Sequence, residues 1–156
     1  MLIEKCYFVT SVCANRTSVL QTDRMSGLFL DVLRENRAKQ RIAVHAFVVM
    51  LNHVHILLTP QNGHSLAKCM QFIKGGFSYR AGKELGVKRE IWQPGYTEHF
   101  IQDSSDYAHH IDYIHNNPVR GGLVMQAHEF PHSSIHKQEW LDAPPDYLHA
   151  GAKAPK

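Results

Sequence analysis

A chain of 156 residues with 44% hydrophobic and 20% charged side chains has the size and make-up of one globular domain. Its net charge of +3 suits a polyanionic partner without requiring one, and its longest apolar runs, Ala46 to Leu51 and Ile56 to Leu58, fall far short of the roughly 20 residues of a membrane span. No leader pattern opens the chain and Cys6, Cys13 and Cys69 form no C-x-x-C pair, so a soluble cytoplasmic protein is expected, with no membrane partner, no disulfide framework and inert thiols.

Tyr7 to Val12 is β-branched and aromatic and predicts a first strand, followed by a polar loop at Asn15 to Ser18. From Asp23, Met25, Leu28, Phe29, Val32 and Leu33 recur at helical spacing and predict an amphipathic helix to about Lys39. Ile42 to Leu51 and His53 to Pro60 form two apolar runs around Asn52, a hairpin that ends at the proline. Ser65 caps a second helix carrying Leu66, Cys69, Met70, Phe72 and Ile73, with Gly75-Gly76 as an expected interruption and Gly86 as its end. Trp92 to Ile101 is the candidate fourth strand, although Pro94 and Gly95 fit a strand poorly. Ser104 or Ser105 then caps a last helix through Tyr107, Ile111 and Ile114, closed by Pro118. The order βαββαβα predicts an α+β fold of the ferredoxin-like or RRM-like kind, an antiparallel sheet with helices packed on it. One domain is expected over residues 1–142, with 143–156 as a flexible tail.

Three features could carry chemistry. His53 and His55 lie two apart on a strand, so both imidazoles share one face and can grip one metal ion. Twelve histidines in this length give about one H-x-H by chance, and the competing reading is a pair of strand histidines bonded to polar neighbours. The apolar flanks argue for a central strand, where burying two imidazoles is costly unless something satisfies them. Tyr113 shares a helix face with His109 and Asn117, each one turn away. It can be a packing residue with its hydroxyl at the surface, or a phenol nucleophile for phosphorus, whose ester conserves bond energy for a later joining step. Lys68, Lys74, Arg80, Lys83, Lys88 and Arg89, interleaved with Phe77, Tyr79 and Trp92, suit single-stranded nucleic acid as well as they suit a solvated face.

Taken together these segments resemble a known family. His53-Val-His55 after an apolar strand resembles the histidine-hydrophobe-histidine (HUH) motif, and Tyr113 to Val124, Tyr-Ile-His-Asn-Asn-Pro-Val-Arg-Gly-Gly-Leu-Val, resembles the tyrosine helix of single-tyrosine transposases, in particular the REP-associated branch. Tyr7-Phe-Val-Thr, Val48 to Leu58, Ile91 to Ile101 and Phe130-Pro-His-Ser-Ser fit the same pattern, so the resemblance covers roughly Cys6 to Ser134.

The resemblance implies an HUH endonuclease fold and cleavage and rejoining of single-stranded DNA at a REP-like hairpin through a 5′-phosphotyrosine. It implies Tyr113 as nucleophile and His53, His55 and Asn117 as ligands of Mg²⁺ or Mn²⁺, where imidazoles alone would favour Mn²⁺ or Zn²⁺. Arg16, Lys68, Lys74, Arg80, Lys83 and Arg120 are the candidate DNA contacts, and a homodimer is a candidate assembly. The alternatives from other classes are a non-catalytic single-stranded nucleic-acid-binding module on the same fold, and a histidine-rich metal or hydrolytic protein. The latter would need carboxylate ligands that have no evident place near His53.

Overall fold

The computed structural model describes residues 4–149. Strand β1 (Tyr7–Val12), helix α1 (Asp23–Ala38), strands β2 (Ile42–Val49) and β3 (His53–Pro60), helix α2 (Leu66–Leu85), strand β4 (Thr97–Phe100) and helix α3 (Ser104–Arg120) follow in the expected order. The strands build one antiparallel sheet in the order β2-β3-β1-β4, the α+β ferredoxin-like arrangement. No helix among the described residues is long and apolar enough to cross a membrane.

Alternation along β3 sorts the two faces of the sheet. Val54, Ile56 and Leu58 pack with Val9, Val44 and Phe47 beneath α1 and α2. Leu57 packs on the other face with Ala46, Val48, Ile101 and Ile114, beneath α3. His53 and His55 share the parity of Leu57 and therefore face α3. On β1, Phe8 stands opposite Leu57 and Thr10 opposite His55, so these two residues look the same way. In β2 the register shifts between Val44 and Ala46, a bulge at His45 that lets Val44 and Ala46 serve opposite faces.

The helix ends follow ordinary capping chemistry. The Thr22 hydroxyl accepts from the Met25 amide at 3.2 Å, the Ser65 hydroxyl accepts from the Lys68 amide at 3.0 Å, and Gly86 closes α2 at φ +69°. Five expectations need correction. Helix α2 runs unbroken through Gly75-Gly76, because packing such as Phe29 against Phe77 (ring centroids 5.4 Å) outweighs the weak helix propensity of the two glycines. The fourth strand is only Thr97–Phe100, because Gly95 adopts φ +78°, while Trp92 forms a lone bridge with Cys13.

Helix α3 is capped by Asp103, whose carboxylate accepts from the Asp106 amide at 2.8 Å, rather than by Ser104 or Ser105. It also continues through Pro118 to Arg120. The missing proline donor deprives only the Ile114 carbonyl, and the Gly121 amide still reaches the Asn117 carbonyl at 2.9 Å. Finally, the expected flexible tail does not begin at residue 143. Tyr147 and Leu148 are buried, and the Tyr147 hydroxyl donates to the Ile101 carbonyl at 2.8 Å while accepting from the Cys6 amide at 3.0 Å. Residues 150–156 of that predicted tail lie outside the described residues.

The Phe130-Pro-His-Ser-Ser segment closes the α3 face. Ser134 Oγ accepts from the Phe47 amide at 3.0 Å and lies 2.9 Å from His115 Nε2, which ties α3 to β2. The three cysteines are buried free thiols, and desolvation pushes Cys6 up to about 12 and Cys13 and Cys69 up to about 11, which keeps them protonated and unreactive.

Candidate active site

The face parity of β3 and the packing of α3 bring the predicted residues together. The His53 and His55 ring centroids lie 4.8 Å apart, and the Tyr113 ring lies 5.5 Å from His55 at 75°. Phe8 forms the floor: it stacks on His55 at 5.2 Å and meets Tyr113 edge-on at 5.7 Å. Tyr113 is nevertheless 37% exposed, so its hydroxyl end is reachable from solvent.

Each imidazole is held by one nitrogen. His53 Nδ1 is 2.7 Å from Asn52 Oδ1, and because that oxygen can only accept, Nδ1 carries the proton. His55 Nδ1 is 2.7 Å from Thr10 Oγ1. Among the described residues neither ring makes a hydrogen bond of ordinary geometry through Nε2, although Asn117 approaches His53; an outer hydrogen bond through Nδ1 is the arrangement that orients a metal-ligating histidine. Burial pushes both histidines below their ordinary value. For His55 the push reaches about 3, with the neighbouring His53 and Arg120 charges adding to desolvation. Neutral imidazoles are the form a metal requires.

Asn117 completes the group. Its side chain approaches His53 and favours the charged imidazole, offsetting part of the burial effect, while its buried Oδ1 has no hydrogen bond of ordinary geometry among the described residues. An orphaned buried amide oxygen beside two imidazole nitrogens is a donor set that fits a divalent cation, which would relieve the unsatisfied oxygen.

The other expected residues divide. Arg120 lies with its guanidinium 4.1 Å from the centroid of the Tyr113 ring and donates to the Tyr113 carbonyl. Arg16, at φ 54° after β1, bears electrostatically on His53, and its carbonyl lies 3.5 Å from Asn52 Nδ2. Lys68, Lys74, Arg80 and Lys83 instead sit on α2, across the sheet from the histidines. Lys74 Nζ donates to the Gly95 and Gln93 carbonyls at 2.5 and 3.2 Å and pins the loop before β4. Arg80 is paired with Glu84 at 2.6 Å and with Glu35 at 3.6 Å. Lys68 lies over Phe72 and Lys83 over Tyr79. His109, expected on the Tyr113 face, is exposed, and it is His110 whose ring packs on Phe8 at 4.8 Å. Phe8, Thr10 and Asn52 are site residues that sequence reasoning did not single out. Alternation alone puts Phe8 and Thr10 on one face of β1, but only the register pairs Thr10 with His55.

Known proteins resemble this chain in sequence and in fold. The family model described as "Transposase IS200 like" matches residues 4–117. The REP-associated tyrosine transposase of Escherichia coli K12 is 33% identical over 132 residues, covering 84% of this chain and 76% of that protein. The solved structure of a REP-associated tyrosine transposase bound to a REP hairpin superposes with a TM-score of 0.69 at 28% identity, covering 97% of this chain and 92% of the other. A crystal structure from Deinococcus radiodurans, at 23% identity and a TM-score of 0.57 over 74% of this chain and 92% of its own, has the same fold.

Proposed function

The chain belongs to the IS200-like transposase family, and from that premise we propose that it cuts and rejoins single-stranded DNA beside a hairpin, with Tyr113 as the nucleophile. The observation that carries this reading is the meeting of a partly exposed phenol with two neutral imidazoles that are held through Nδ1, the Tyr113 and His55 rings being 5.5 Å apart. The hairpin as substrate rests on the REP hairpin bound in the solved relative.

In this reading His53 Nε2, His55 Nε2 and Asn117 Oδ1 hold Mg²⁺ or Mn²⁺. When bound, the ion supplies Lewis-acid polarisation of the scissile phosphate and charge neutralisation at the departing oxygen. The chain's own residues do the rest. Asn52 and Thr10 fix the two rings through Nδ1, so their Nε2 atoms stay aimed outward. Phe8 braces Tyr113 edge-on and limits its swing. Arg120, over the Tyr113 ring, sets a positive charge where a phosphodiester has to approach. The Tyr113 oxygen forms a bond to phosphorus, the P–O3′ bond breaks, and the phenolic proton is lost to solvent. One strand leaves with a 3′ hydroxyl and the other stays as a 5′-phosphotyrosine. Attack on that ester by a 3′ hydroxyl reverses the step and joins the strands.

Incubation of the protein with labelled hairpin-bearing single-stranded DNA and Mn²⁺, resolved on a denaturing gel, tests the function. A cleaved 3′-hydroxyl product and a protein-linked partner support it. Retarded but uncleaved DNA under native conditions, with no adduct under denaturing ones, would instead identify a binding module on this fold.

A further inference from the structure

Adjoining the His53 site through Phe8, His99 on β4 and Asp106 and His110 on α3 bring one ligand atom each to within 4.8 Å of one another. We propose that these three side chains form a second metal site, for a borderline divalent cation of the zinc class, which clips the edge strand β4 to the helix that carries Tyr113. The donor set is two imidazole nitrogens and one carboxylate oxygen, which suits zinc better than the hard cations that prefer all-oxygen shells. Three protein ligands leave a fourth tetrahedral position for water.

The three side chains are already in contact without an ion. His99 Nε2 lies 2.8 Å from Asp106 Oδ2 and His110 Nδ1 lies 3.0 Å from Asp106 Oδ1, so the carboxylate sits between the two rings. The rings themselves are stacked 4.8 Å apart and 21° from parallel. The groups behind them are in place as well. The Gln102 amide donates to Asp106 Oδ2 at 2.9 Å, and Phe8 backs His110. Asp106 and His110 are one helical turn apart, and His99 reaches them because its strand position, opposite Phe8, faces α3. Ligation asks both histidines to give up the proton that faces Asp106: His99 moves it from Nε2, 2.8 Å from Asp106 Oδ2, to Nδ1, and His110 moves it from Nδ1, 2.8 Å from the Asp106 carbonyl, to Nε2, so the ion and these hydrogen bonds are alternatives.

The site has a mechanical consequence. The β4 strand is only four residues long and lies at the sheet edge, while His110 is one turn before Tyr113. An ion here ties the tyrosine helix to the sheet.

The test uses the full chain with H53A and H55A, so that the first site cannot bind. Equilibrium dialysis against Zn²⁺ followed by metal analysis should give about one ion per chain, as for a single site, and Zn²⁺ but not Mg²⁺ should raise Tm. Adding H99N should abolish both effects. His99 is 46% exposed on its side chain at the sheet edge, so its replacement leaves the core intact, and H110N provides a second removal. Co²⁺ gives an independent reading, as an intense visible absorption of a tetrahedral site that H99N removes. Failure to bind Zn²⁺, or binding and a Tm shift that persist with H99N, would overturn the proposal without touching the role of Tyr113.

Discussion

Thr10 Oγ1 lies 2.7 Å from His55 Nδ1 across the β1–β3 ladder, so a residue of the first strand fixes the ring orientation of a proposed metal ligand on the third. Thr10→Val keeps the β-branched shape and deletes only that hydroxyl. It is expected to cost about 1 kcal/mol of stability, the usual net value of such a bond, and to weaken metal binding about 10- to 100-fold, as removal of an orienting partner does. Cleavage titrated with Mn²⁺ should therefore shift to higher ion concentration and recover at saturation. An unshifted titration would mean that Thr10 orients nothing.

His53→Ala and His55→Ala should each abolish cleavage while leaving hairpin affinity largely intact, because phosphate and base contacts supply the binding energy. Gel retardation and cleavage assayed on the same samples separate the two. Parental cleavage by either variant at limiting Mn²⁺ would contradict the assignment.

The parts legible in the sequence were those set by periodicity. Alternation placed His53 and His55 on one face, helical spacing drew α1 and α3, and Ser65 announced its helix. What stayed hidden depended on contacts between distant segments. Helix α2 continues through Gly75-Gly76 because Phe77 packs on Phe29 of α1, and Asp103 competes with Ser104 and Ser105 for a cap that only the turn after β4 decides. Tyr147 looks like tail until its hydroxyl meets Ile101 and Cys6. The basic residues of α2 cluster in the sequence, but one-dimensional clustering does not say which side of the sheet a helix covers, nor that Glu35, Glu84 and the Gly95 carbonyl engage several of them.

Stability should fall on mild acidification, and His45 should carry part of the loss. The ring is buried, with Nδ1 2.9 Å from the Asp142 carbonyl and Nε2 2.8 Å from Thr59 Oγ1, while Asp142 and Glu4 are the nearby charges and Tyr107 the nearby ring. Desolvation holds it below its ordinary 6.5 despite both acids. Above that pH neither the folded nor the unfolded chain is protonated there; below it the unfolded chain takes up a proton that the folded one refuses. Stability is therefore lost as pH falls from 6.5, at up to about 1.4 kcal/mol per pH unit for each such group, and His55 acts with the same sign. His45→Gln should flatten the fall in Tm between pH 7 and 5, and an unchanged slope would exclude His45 as a source.

Tyr147→Phe removes one hydroxyl that serves two buried backbone groups, the Cys6 amide and the Ile101 carbonyl. Leaving them unpaired should cost about 1–3 kcal/mol in urea unfolding, with the slope unchanged. A loss below about 0.5 kcal/mol, the ordinary scatter of surface substitutions, would mean that the segment around Tyr147 is not anchored in solution.

The most direct measurement is mass spectrometry of the adduct trapped with hairpin-bearing single-stranded DNA. The account predicts a 5′-phosphate on the peptide containing Tyr113, and its disappearance in Tyr113→Phe, which keeps the ring that packs against Phe8 and His55 and so preserves the fold. An adduct on the peptide containing Tyr107, or one that persists in Tyr113→Phe, would contradict it.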